Sequence, residues 1–461
     1  MFLTAQRMTA TITVLGGAEE IGANCCVVDL DGTAVMVDAG LHPKRRDAGA
    51  FPDMQALGDK QCDVLVVTHA HTDHMGGVPF VLRKMPWMRP LMTHATRDLS
   101  QITLHNTGKL LRKEHPEILS AEVEEFYRGA TIDHLRMAFE AVPYNEVRSV
   151  RGYNGRSDVD LTLHWSGHIL GSAGVRLECQ GRSVMFTGDV NFTDQASIRG
   201  AQLPRTHADV LVMECTNGAA TDLHDRHTEE QRLARFITQV SSAGGSVLVP
   251  VFALGKTQEI LTILHSLMRK GSIPHMPIYT AGMGVRISKV YDHYCYTEPV
   301  RHPGFEISDI PQERINPDEL EREKFFSNPS LVVVSSGMLN QRTLSWRLAM
   351  MFGRRPTFGI AIVGYQDVDS PGYALQNSAP GEKFVFGNKL LRRSCALESF
   401  RFTAHARPEE LVAYVDDVKP STLVLVHGST EACDAIALDV LDRHPGMRVI
   451  VPRQGASYTL W

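Results

Sequence analysis

The sequence predicts an α/β protein with two cores, in which two separate stretches of chain form an outer domain around an inserted, doubly wound α/β domain. Its 461 residues exceed the usual size of a single hydrophobic core. Short β-rich runs with glycine turns occur in both flanking stretches, whereas strands alternate with amphipathic helices in the middle. We therefore expect residues 1–214 and 395–461 to share one domain and residues 215–394 to form the other.

The first flanking stretch is predicted to begin with antiparallel strands. Between Thr9 and Gly40, short apolar runs are separated by tight turns, a pattern typical of antiparallel pairing. Asp31-Gly32 is a candidate hairpin turn. Asp38 closes the last of these strands, either as a turn residue or as part of a site. Residues 41–60 are polar and predict a surface loop.

The inserted stretch has the periodicity of parallel α/β structure. Thr228 to Gln231 match a capping box at the start of an amphipathic helix. An apolar run at 246–251 predicts the strand that follows, and further strands and helices alternate up to about Cys395. This alternation predicts a doubly wound parallel sheet.

Composition limits the class of protein. With 43% hydrophobic and 21% charged residues and a net charge of −5, the chain has no global basic signature, so a nucleic-acid partner would need a local positive field. Eight cysteines without a C-x-x-C pair predict reduced thiols in a cytoplasmic protein and argue against a thiolate zinc site. Nowhere do 18 apolar residues run together, so neither export nor membrane insertion is predicted.

The most informative stretch is LVVTHAHTDHMGG, in which an apolar strand leads into a turn that holds four potential metal ligands. These are His69, His71, Asp73 and His74. Neutral imidazole and carboxylate are ligands that zinc prefers. The alternative, a polar loop that binds nothing, does not account for four such groups within six positions. The stretch therefore predicts a metal site.

Two further strand ends extend this site. His168 lies among small residues in SGHILGSAG, and Asp189 ends the strand SVMFTGD. Either residue alone would be unremarkable, but together with the first motif they supply ligands for two metals. The ligands of one metal are His69, His71 and His168, those of the other are Asp73 and His74, and Asp189 is placed to bridge them.

These motifs resemble those of a known family. THAHTDHMGG, SGHILGSAG and FTGD are similar to the signature motifs of the metallo-β-lactamase superfamily. Glu214 in ECTNG, His405 in TAHA and His427 in VHGS resemble the three additional motifs of its β-CASP subfamily of nucleases. The resemblance implies an αββα sandwich with two Zn²⁺ ions at one sheet edge, and a β-CASP domain inserted over residues 215–394.

The resemblance also implies a function. The third additional motif is a histidine in RNA-processing members and typically a valine in DNA-processing ones, so His427 implies single-stranded RNA as substrate and completes the second zinc sphere. Asp73, His405 and Glu214 become the catalytic group, in which His405 protonates the departing 3′ oxygen and Glu214 orients it. Asp38 would orient a zinc-bound histidine without itself binding the metal. The implied enzyme is a zinc-dependent ribonuclease, an endonuclease leaving a 5′ phosphate and a 3′ hydroxyl, similar to compact bacterial and archaeal relatives of the endonuclease that cleaves messenger-RNA 3′ ends.

Four residues are candidate phosphate contacts, because Lys and Arg charges and Ser hydroxyls bind phosphate oxygens. They are Lys256, Ser335, Ser336 and Arg407. Each has a structural alternative: Lys256 could simply start a helix, and the two serines could form a strand-end turn.

Three departures from the family pattern leave the substrate and the cleavage mode open. Cys215-Thr216-Asn217 replaces the usual Ser-Thr-Tyr, Arg407 replaces an aspartate beside His405, and residues 280–283 differ from the usual Asp-Ser-Pro-Met. A 5′-to-3′ exoribonuclease and a DNA nuclease of the same family remain alternatives. A small-molecule metallohydrolase and a non-catalytic scaffold are more distant ones. A homodimer is compatible with the sequence.

Overall fold

A computed structural model of the chain describes residues 9–461 except 46, 115, 119, 222, 223, 315, 317, 318 and 320–322. The chain forms two compact units. The first unit contains the chain up to Asp194 together with Gly200–Thr221 and Ala404–Trp461, and the second contains Gln195–Arg199 and Asp222–Thr403.

The first unit contains two seven-stranded sheets. The strands of the first sheet are β1 (Ala10–Gly16), β2 (Cys25–Leu30), β3 (Thr33–Val37), β4 (Val64–Val66), β5 (Arg89–Met92), β6 (Glu140–Ala141) and β22 (Ser457–Thr459). Those of the second are β7 (Arg148–Val150), β8 (Val159–Trp165), β9 (Ala173–Cys179), β10 (Arg182–Phe186), β11 (Val210–Glu214), β20 (Thr422–Val426) and β21 (Arg448–Ile450). Their spatial orders are β22-β1-β2-β3-β4-β5-β6 and β21-β20-β11-β10-β9-β8-β7.

Alternating side chains of the two sheets pack against each other. Val35 and Val37 join Val175 and Val212 in one buried core, whereas Met36, between the two valines, is buried on the opposite face of its strand. The helices of this unit are α1 (Thr72–Met75), α2 (Val78–Lys84), α3 (His94–Glu114), α4 (Ala121–Phe126), α5 (Gly129–Ala138), α11 (Pro408–Val418) and α12 (Thr430–Arg443).

Helices α11 and α12 cover the outer face of the second sheet. Leu411 and Tyr414 of α11 and Ile436 of α12 form a buried core with Leu211 and Leu423 of the sheet. This arrangement is the predicted αββα sandwich.

The predicted hairpin between β2 and β3 is confirmed. These strands pair antiparallel, with Leu30 opposite Thr33. Asp31 and Gly32 both have positive φ, 54° and 90°, as a type I′ turn requires. A Cβ at Gly32 would lie 2.3 Å from the carbonyl oxygen of Asn154, so glycine is needed here for space as well as for conformation.

The second unit is built on a six-stranded parallel sheet in the order β14-β13-β15-β12-β16-β19. Its strands are β12 (Val247–Pro250), β13 (Ile278–Ala281), β14 (Glu313–Arg314), β15 (Leu331–Val334), β16 (Gly359–Ile362) and β19 (Ala396–Ser399), and β17 (Lys383–Phe386) and β18 (Lys389–Arg392) form a separate hairpin. Its described helices are α6 (Arg226–Ser242), α7 (Lys256–Arg269), α8 (Met283–His293), α9 (Leu344–Phe352) and α10 (Pro371–Gln376).

Helices pack on both faces of this sheet. Leu248 and Ile360 join Phe352 of α9 in one core. Gly359, the neighbour of Ile360, faces Phe236 and Val240 of α6 instead. Because successive strand residues point to opposite faces, α6 and α9 cover different sides, and the predicted doubly wound sheet is confirmed.

Two details differ from the sequence-based expectation. The expected boundary before residue 395 falls ahead of β19, which extends the parallel sheet of the second unit by pairing with β16, whose edge would otherwise be unpaired. The expected capping box at Thr228 is wrong: α6 begins at Arg226, and the side chain of Asp225 accepts a hydrogen bond from the Thr228 backbone amide at 2.9 Å.

All eight cysteines are buried free thiols. None of the described helices combines the length and the apolar character needed to cross a bilayer.

A buried hydrogen bond ties the helical layer to the chain after α1. The Tyr127 hydroxyl donates to the Gly76 carbonyl at 2.6 Å, and Tyr127 is 1% exposed. Tyr127→Phe leaves this carbonyl unsatisfied, so we expect the free energy of unfolding to fall by about 1 kcal/mol in urea titrations. Tyr153→Phe is the matched control, since Tyr153 is 97% exposed. Equal unfolding midpoints for the two variants would contradict this expectation.

Candidate metal centre

The ends of parallel strands bring the candidate site residues together. Strands β3 and β4 are parallel neighbours in the first sheet, and β10, β11 and β20 are parallel neighbours in the second. The residues that follow or close these five strands at their carboxyl ends are Asp38, His69, Asp189, Glu214 and His427. Parallel strands place such side chains at one edge of each sheet, which explains why residues far apart in sequence meet.

The first group of ligand atoms comes from three histidines and Asp189. His71 Nδ1 lies 3.1 Å from His69 Nε2 and 3.0 Å from His168 Nε2. Asp189 Oδ2 lies 3.6 Å from His69 Nε2 and 3.5 Å from His168 Nε2. These four side chains could hold one metal ion.

The second group contains Asp73, His74 and His427. His427 Nε2 lies 3.3 Å from His74 Nε2 and 3.4 Å from Asp73 Oδ2. The other carboxylate oxygen of Asp189 lies 3.3 Å from His74 Nε2, so Asp189 faces both groups. The structure thus brings together all seven residues that the sequence identified as ligands.

The donor atoms fit metal ions in both spacing and chemistry. Tetrahedral zinc with bonds of about 2.0–2.1 Å keeps its ligand atoms about 3.3 Å apart. The six separations given above within the two groups range from 3.0 to 3.6 Å, and all ligand atoms of a group lie within 4.8 Å of one another. Ring nitrogens of His69 and His168 both face His71 Nδ1, an arrangement in which their lone pairs could bind one cation. Asp189 Oδ1 is buried and accepts no hydrogen bond of good geometry. A buried carboxylate oxygen in this state is available to bind a cation.

Oxygen atoms hold the remaining nitrogens of four ligand histidines. His74 Nδ1 lies 2.7 Å from Asp38 Oδ2, so Asp38 occupies the orienting position that the resemblance implied. The Nδ1 atoms of His69, His168 and His427 lie 3.1, 2.9 and 3.1 Å from Thr68 Oγ1, the Ala404 carbonyl and Thr216 Oγ1. Such contacts fix the ring orientation and the tautomer of a metal ligand.

Electrostatics favour the ligand forms of His69, His168 and Asp189. Burial, together with neighbouring histidines, lowers the pKa of His69 and of His168 well below the usual value, so both imidazoles are neutral. Burial would raise the pKa of Asp189, but His427 and His74 outweigh it and hold that pKa well below its usual value. Burial lowers the pKa of His74, but Asp189 and Asp38 outweigh it and raise that pKa well above its usual value, which favours the imidazolium form, so a metal ion at Nε2 would have to displace a proton.

The backbone around the site is conformationally demanding. Asp38 and His427 have φ of 62° and 53°, a region that non-glycine residues rarely adopt. A Cβ at Gly40 would lie 1.8 Å from the Asp73 carbonyl oxygen, so only glycine allows this close approach. Because of these φ values, the side chains of Asp38 and His427 point in directions that a regular strand would not give them.

His405 and Glu214 form an ion pair beside the ligands. His405 Nδ1 lies 2.9 Å from Glu214 Oε1, and the His405 ring is 4.6 Å from that of His168. Burial alone would lower the pKa of His405, but the Glu214 carboxylate raises it to about 9. The side chains of His405 and Asp73 are 20% and 26% exposed, whereas those of Glu214 and Asp189 are 2% and 3% exposed. His405 and Asp73 therefore lie at the open side of the site.

The candidate phosphate contacts occupy different surroundings. Arg407 precedes α11, its backbone amide donates to Glu410, and its guanidinium lies 3.8 Å from Glu409. Lys256 lies in the second unit, at the start of α7, where its Nζ donates to the Phe402 carbonyl.

Ser335 and Ser336 also lie in the second unit. Ser336 Oγ accepts a hydrogen bond from the Asn340 amide at 3.0 Å, and the Ser336 carbonyl accepts one from Ser345 Oγ at 2.8 Å. Ser336 thus takes part in a turn after β15, as the structural alternative expected. Phosphate binding by the four candidate residues stays a prediction.

Sequence reasoning missed three residues that contact the site. Thr68 and Thr216 hold ligand histidines, and Asn217 donates to the His405 and Ala406 carbonyls. Each is adjacent to a motif residue or lies within a motif. None has the ligand or acid chemistry that marks a motif. For Asn217 the one signal was its departure from the tyrosine that the family usually carries.

Comparisons with known proteins agree with this geometry. Residues 18–235 match the metallo-beta-lactamase superfamily, residues 257–375 the Beta-Casp domain, and residues 391–452 the Zn-dependent metallo-hydrolase RNA specificity domain. An RNase J-like protein from Methanocaldococcus jannaschii is 30% identical over 90% of this chain and 91% of its own length. The chain belongs to the β-CASP subfamily of the metallo-β-lactamase superfamily.

Other β-CASP relatives are longer. Endoribonuclease YSH1 of Yarrowia lipolytica is 27% identical over 98% of this chain but 54% of its own length. Cleavage and polyadenylation specificity factor 73 of Drosophila melanogaster is 28% identical over 93% of this chain and 61% of its own length. A crystal structure of a protein of unknown function from Enterococcus faecalis V583 shares the fold, with a TM-score of 0.55, 12% identity and coverage of 98% of this chain and 100% of that one.

The contact between Asp38 and His74 leads to a testable expectation. Asp38 accepts hydrogen bonds from the Thr68 amide and hydroxyl at 2.7 and 2.8 Å and faces His74 Nδ1. Asp38→Asn removes the acceptor that orients His74, so we expect metal affinity to fall about 10- to 100-fold in chelator competition.

Asp63→Asn is the matched control, because the Asp63 carboxylate accepts two backbone amides and contacts no ligand histidine. An Asp38→Asn affinity equal to that of the control would show that Asp38 does not orient the ligand.

Proposed function

We propose that this β-CASP chain is a metal-dependent ribonuclease that hydrolyses phosphodiester bonds with two bound Zn²⁺ ions. The observation that carries the proposal is the His405–Glu214 pair, 2.9 Å apart, placed directly against a seven-residue ligand cluster. A hydrolase of phosphodiesters needs both a polarising charge and an acid for the leaving oxygen, and this edge of the sheets supplies both.

Seven residues would hold the metals. His69, His71 and His168 serve one ion, Asp73, His74 and His427 serve the other, and Asp189 lies between them. Metal ions held here would lower the pKa of water and neutralise charge on the phosphoryl group. The carboxylates of Asp73 and Asp189 bring negative charge that offsets part of the cationic charge.

His405 supplies the proton for the departing group. Its Nδ1 faces Glu214, which leaves Nε2 as the nitrogen that donates a proton to the 3′ oxygen as the P–O3′ bond breaks. Glu214 keeps the imidazole oriented and protonated. The products are then a 3′ hydroxyl on one fragment and a 5′ phosphate on the other.

Several observations favour single-stranded RNA and internal cleavage. Residues 391–452 match an RNA specificity domain, and two of the relatives described above are named as an endoribonuclease and an RNase J-like protein. His427 stands among the candidate ligands, where DNA-processing members of the family typically carry valine.

The inferred cytoplasmic location rests on the scattered reduced thiols. A homodimer stays a prediction.

Two 5′-labelled RNAs of equal length test the activity, one with a 5′ hydroxyl and one with a 5′ monophosphate. Internal fragments from both, with single-stranded DNA left intact, are expected. Mononucleotide released only from the phosphorylated RNA would show 5′-to-3′ exonuclease action instead. Cleavage of DNA but not RNA would contradict the RNA assignment, and turnover of nitrocefin or a thioester alone would indicate a small-molecule hydrolase.

The acid role of His405 makes a prediction about pH. The pKa of His405 is raised to about 9, so its proton is present below that pH and is lost as the pH rises through it. Cations bound nearby repel this proton and shift the limit downward, so kcat is expected to fall with an alkaline limb at or below pH 9. Removing the carboxylate in Glu214→Gln should move this limb to lower pH. An unchanged limb in Glu214→Gln would show that another group sets it.

His405→Ala separates chemistry from metal binding. This variant is expected to retain zinc and to lose about 10²- to 10⁴-fold in kcat, because it removes the acid and no ligand. Asp189→Ala should lose zinc as well as activity, since it removes a ligand of both groups. Zinc content by mass spectrometry and turnover of labelled RNA measure the two effects. Full activity in either variant would contradict its assigned role.

A further inference from the structure

The segment from Glu214 to Asn217 contacts three separate parts of the candidate active site. Glu214 Oε1 accepts a hydrogen bond from the Val190 amide at 2.8 Å, next to Asp189, and Glu214 also faces His405. Thr216 Oγ1 lies 3.1 Å from both Nδ1 and the carbonyl oxygen of His427. Four consecutive residues therefore connect the segments that carry Asp189, His405 and His427.

Asn217 makes the contact that the proposed mechanism leaves unexplained. Its Nδ2 donates to the His405 carbonyl at 3.2 Å and to the Ala406 carbonyl at 3.1 Å. The Ala406 amide, on the other side of the same backbone, donates to the Val190 carbonyl at 2.6 Å. The backbone that carries His405 is thus held from two directions just before α11 begins.

The chemistry of this contact is specific to a carboxamide. An asparagine NH₂ group has two N–H donors, so a single atom satisfies both carbonyls. Members of the family usually carry tyrosine here, and a tyrosine hydroxyl has only one donor. An aspartate of the same shape has no donor and would repel both carbonyl oxygens. The contact therefore belongs to this chain's own version of the motif.

We infer that Asn217 is a positioning residue, which fixes the backbone of His405 and Ala406 so that the His405 imidazole stays paired with Glu214 and directed at the leaving oxygen. This inference rests on the proposed function, because it takes His405 as the acid. This role requires no contact of Asn217 with the substrate. Asn217 acts through the main chain of His405.

Asn217→Asp tests the inference with a change of charge and donor capacity at nearly constant shape. We expect kcat for RNA cleavage to fall about 10- to 100-fold, since small misplacements of a catalytic group have effects of this size. KM and zinc content should stay within about twofold of the wild-type values. A lost binding contact would instead change the affinity roughly tenfold. Asn217→Ala, which lacks the added charge, is expected to change kcat in the same direction. Asn377→Asp is the matched control, because Asn377 is exposed and donates to the Tyr373 carbonyl at 2.9 Å.

A second substrate distinguishes positioning of the acid from general damage. In an RNA whose scissile 3′ oxygen is replaced by sulfur, the leaving thiolate has a pKa of about 8.5 and needs little protonation. The loss of kcat in Asn217→Asp should shrink to within about threefold on this substrate, as should that of His405→Ala, because both defects concern the proton. An equal loss on both substrates, or no loss on either, would overturn the inference.

A measurement without substrate keeps the inference separate from the proposed activity. In the zinc-loaded protein, the His405 Nδ1 proton shared with Glu214 should give a slowly exchanging imidazole resonance, assigned by its absence in His405→Ala. Broadening or loss of this resonance in Asn217→Asp and Asn217→Ala, but not in Asn377→Asp, supports positioning. An unchanged resonance in both Asn217 variants overturns it. If the wild type cleaves no RNA, the proposed function fails while this spectrum still decides whether Asn217 holds His405.

Discussion

The convergence of metal-binding groups at one edge of the two sheets is the constraint on which the candidate site depends. His71 Nδ1 lies about 3 Å from His69 Nε2 and from His168 Nε2, and Asp189 presents both of its carboxylate oxygens to the two ligand groups. A cation bound among these atoms would use their lone pairs and offset the cost of burying the carboxylate. The surrounding fold supplies rigidity. Buried strands end together, Asp38 and His427 adopt strained φ values, and oxygen partners fix the imidazole rings.

The candidate metal ligands could be selected from the sequence because their chemistry is distinctive. Histidines and carboxylates at strand ends are unusual enough that His69 to His74, His168 and Asp189 stood out without a structure. Thr68, Thr216 and Asn217 could not be found in this way, since threonine and asparagine occur in turns throughout any chain. Their roles depend on distances to His69, His427 and His405 across strands and loops, and only the folded structure sets these distances.

Local signals also misled where tertiary structure made the choice. Thr228 was a plausible helix cap from its spacing to Gln231, but Asp225 caps the helix and Thr228 lies within the first turn. Lys256 was a candidate phosphate contact or a plain helix start, and it does start α7. In the structure its ammonium donates to a backbone carbonyl, beside the ion pair of Arg226 and Glu259, and burial lowers its pKa to about 8. Charge read from sequence therefore says little about whether the charged group faces solvent.

The pairing of β11 with β20 has a consequence for the way the protein is made. Val212 pairs with Val424, and this register brings His427 to Asp73, 354 residues earlier in the chain. During synthesis, a ribosome must add the whole second unit before the second group of ligands can close. Until then, a partly made chain has His69 to His74, His168 and Asp189 but neither His405 nor His427. The nascent polypeptide therefore lacks His405 and a complete set of candidate ligands, so the site proposed to cleave RNA stays incomplete until His427 has been added.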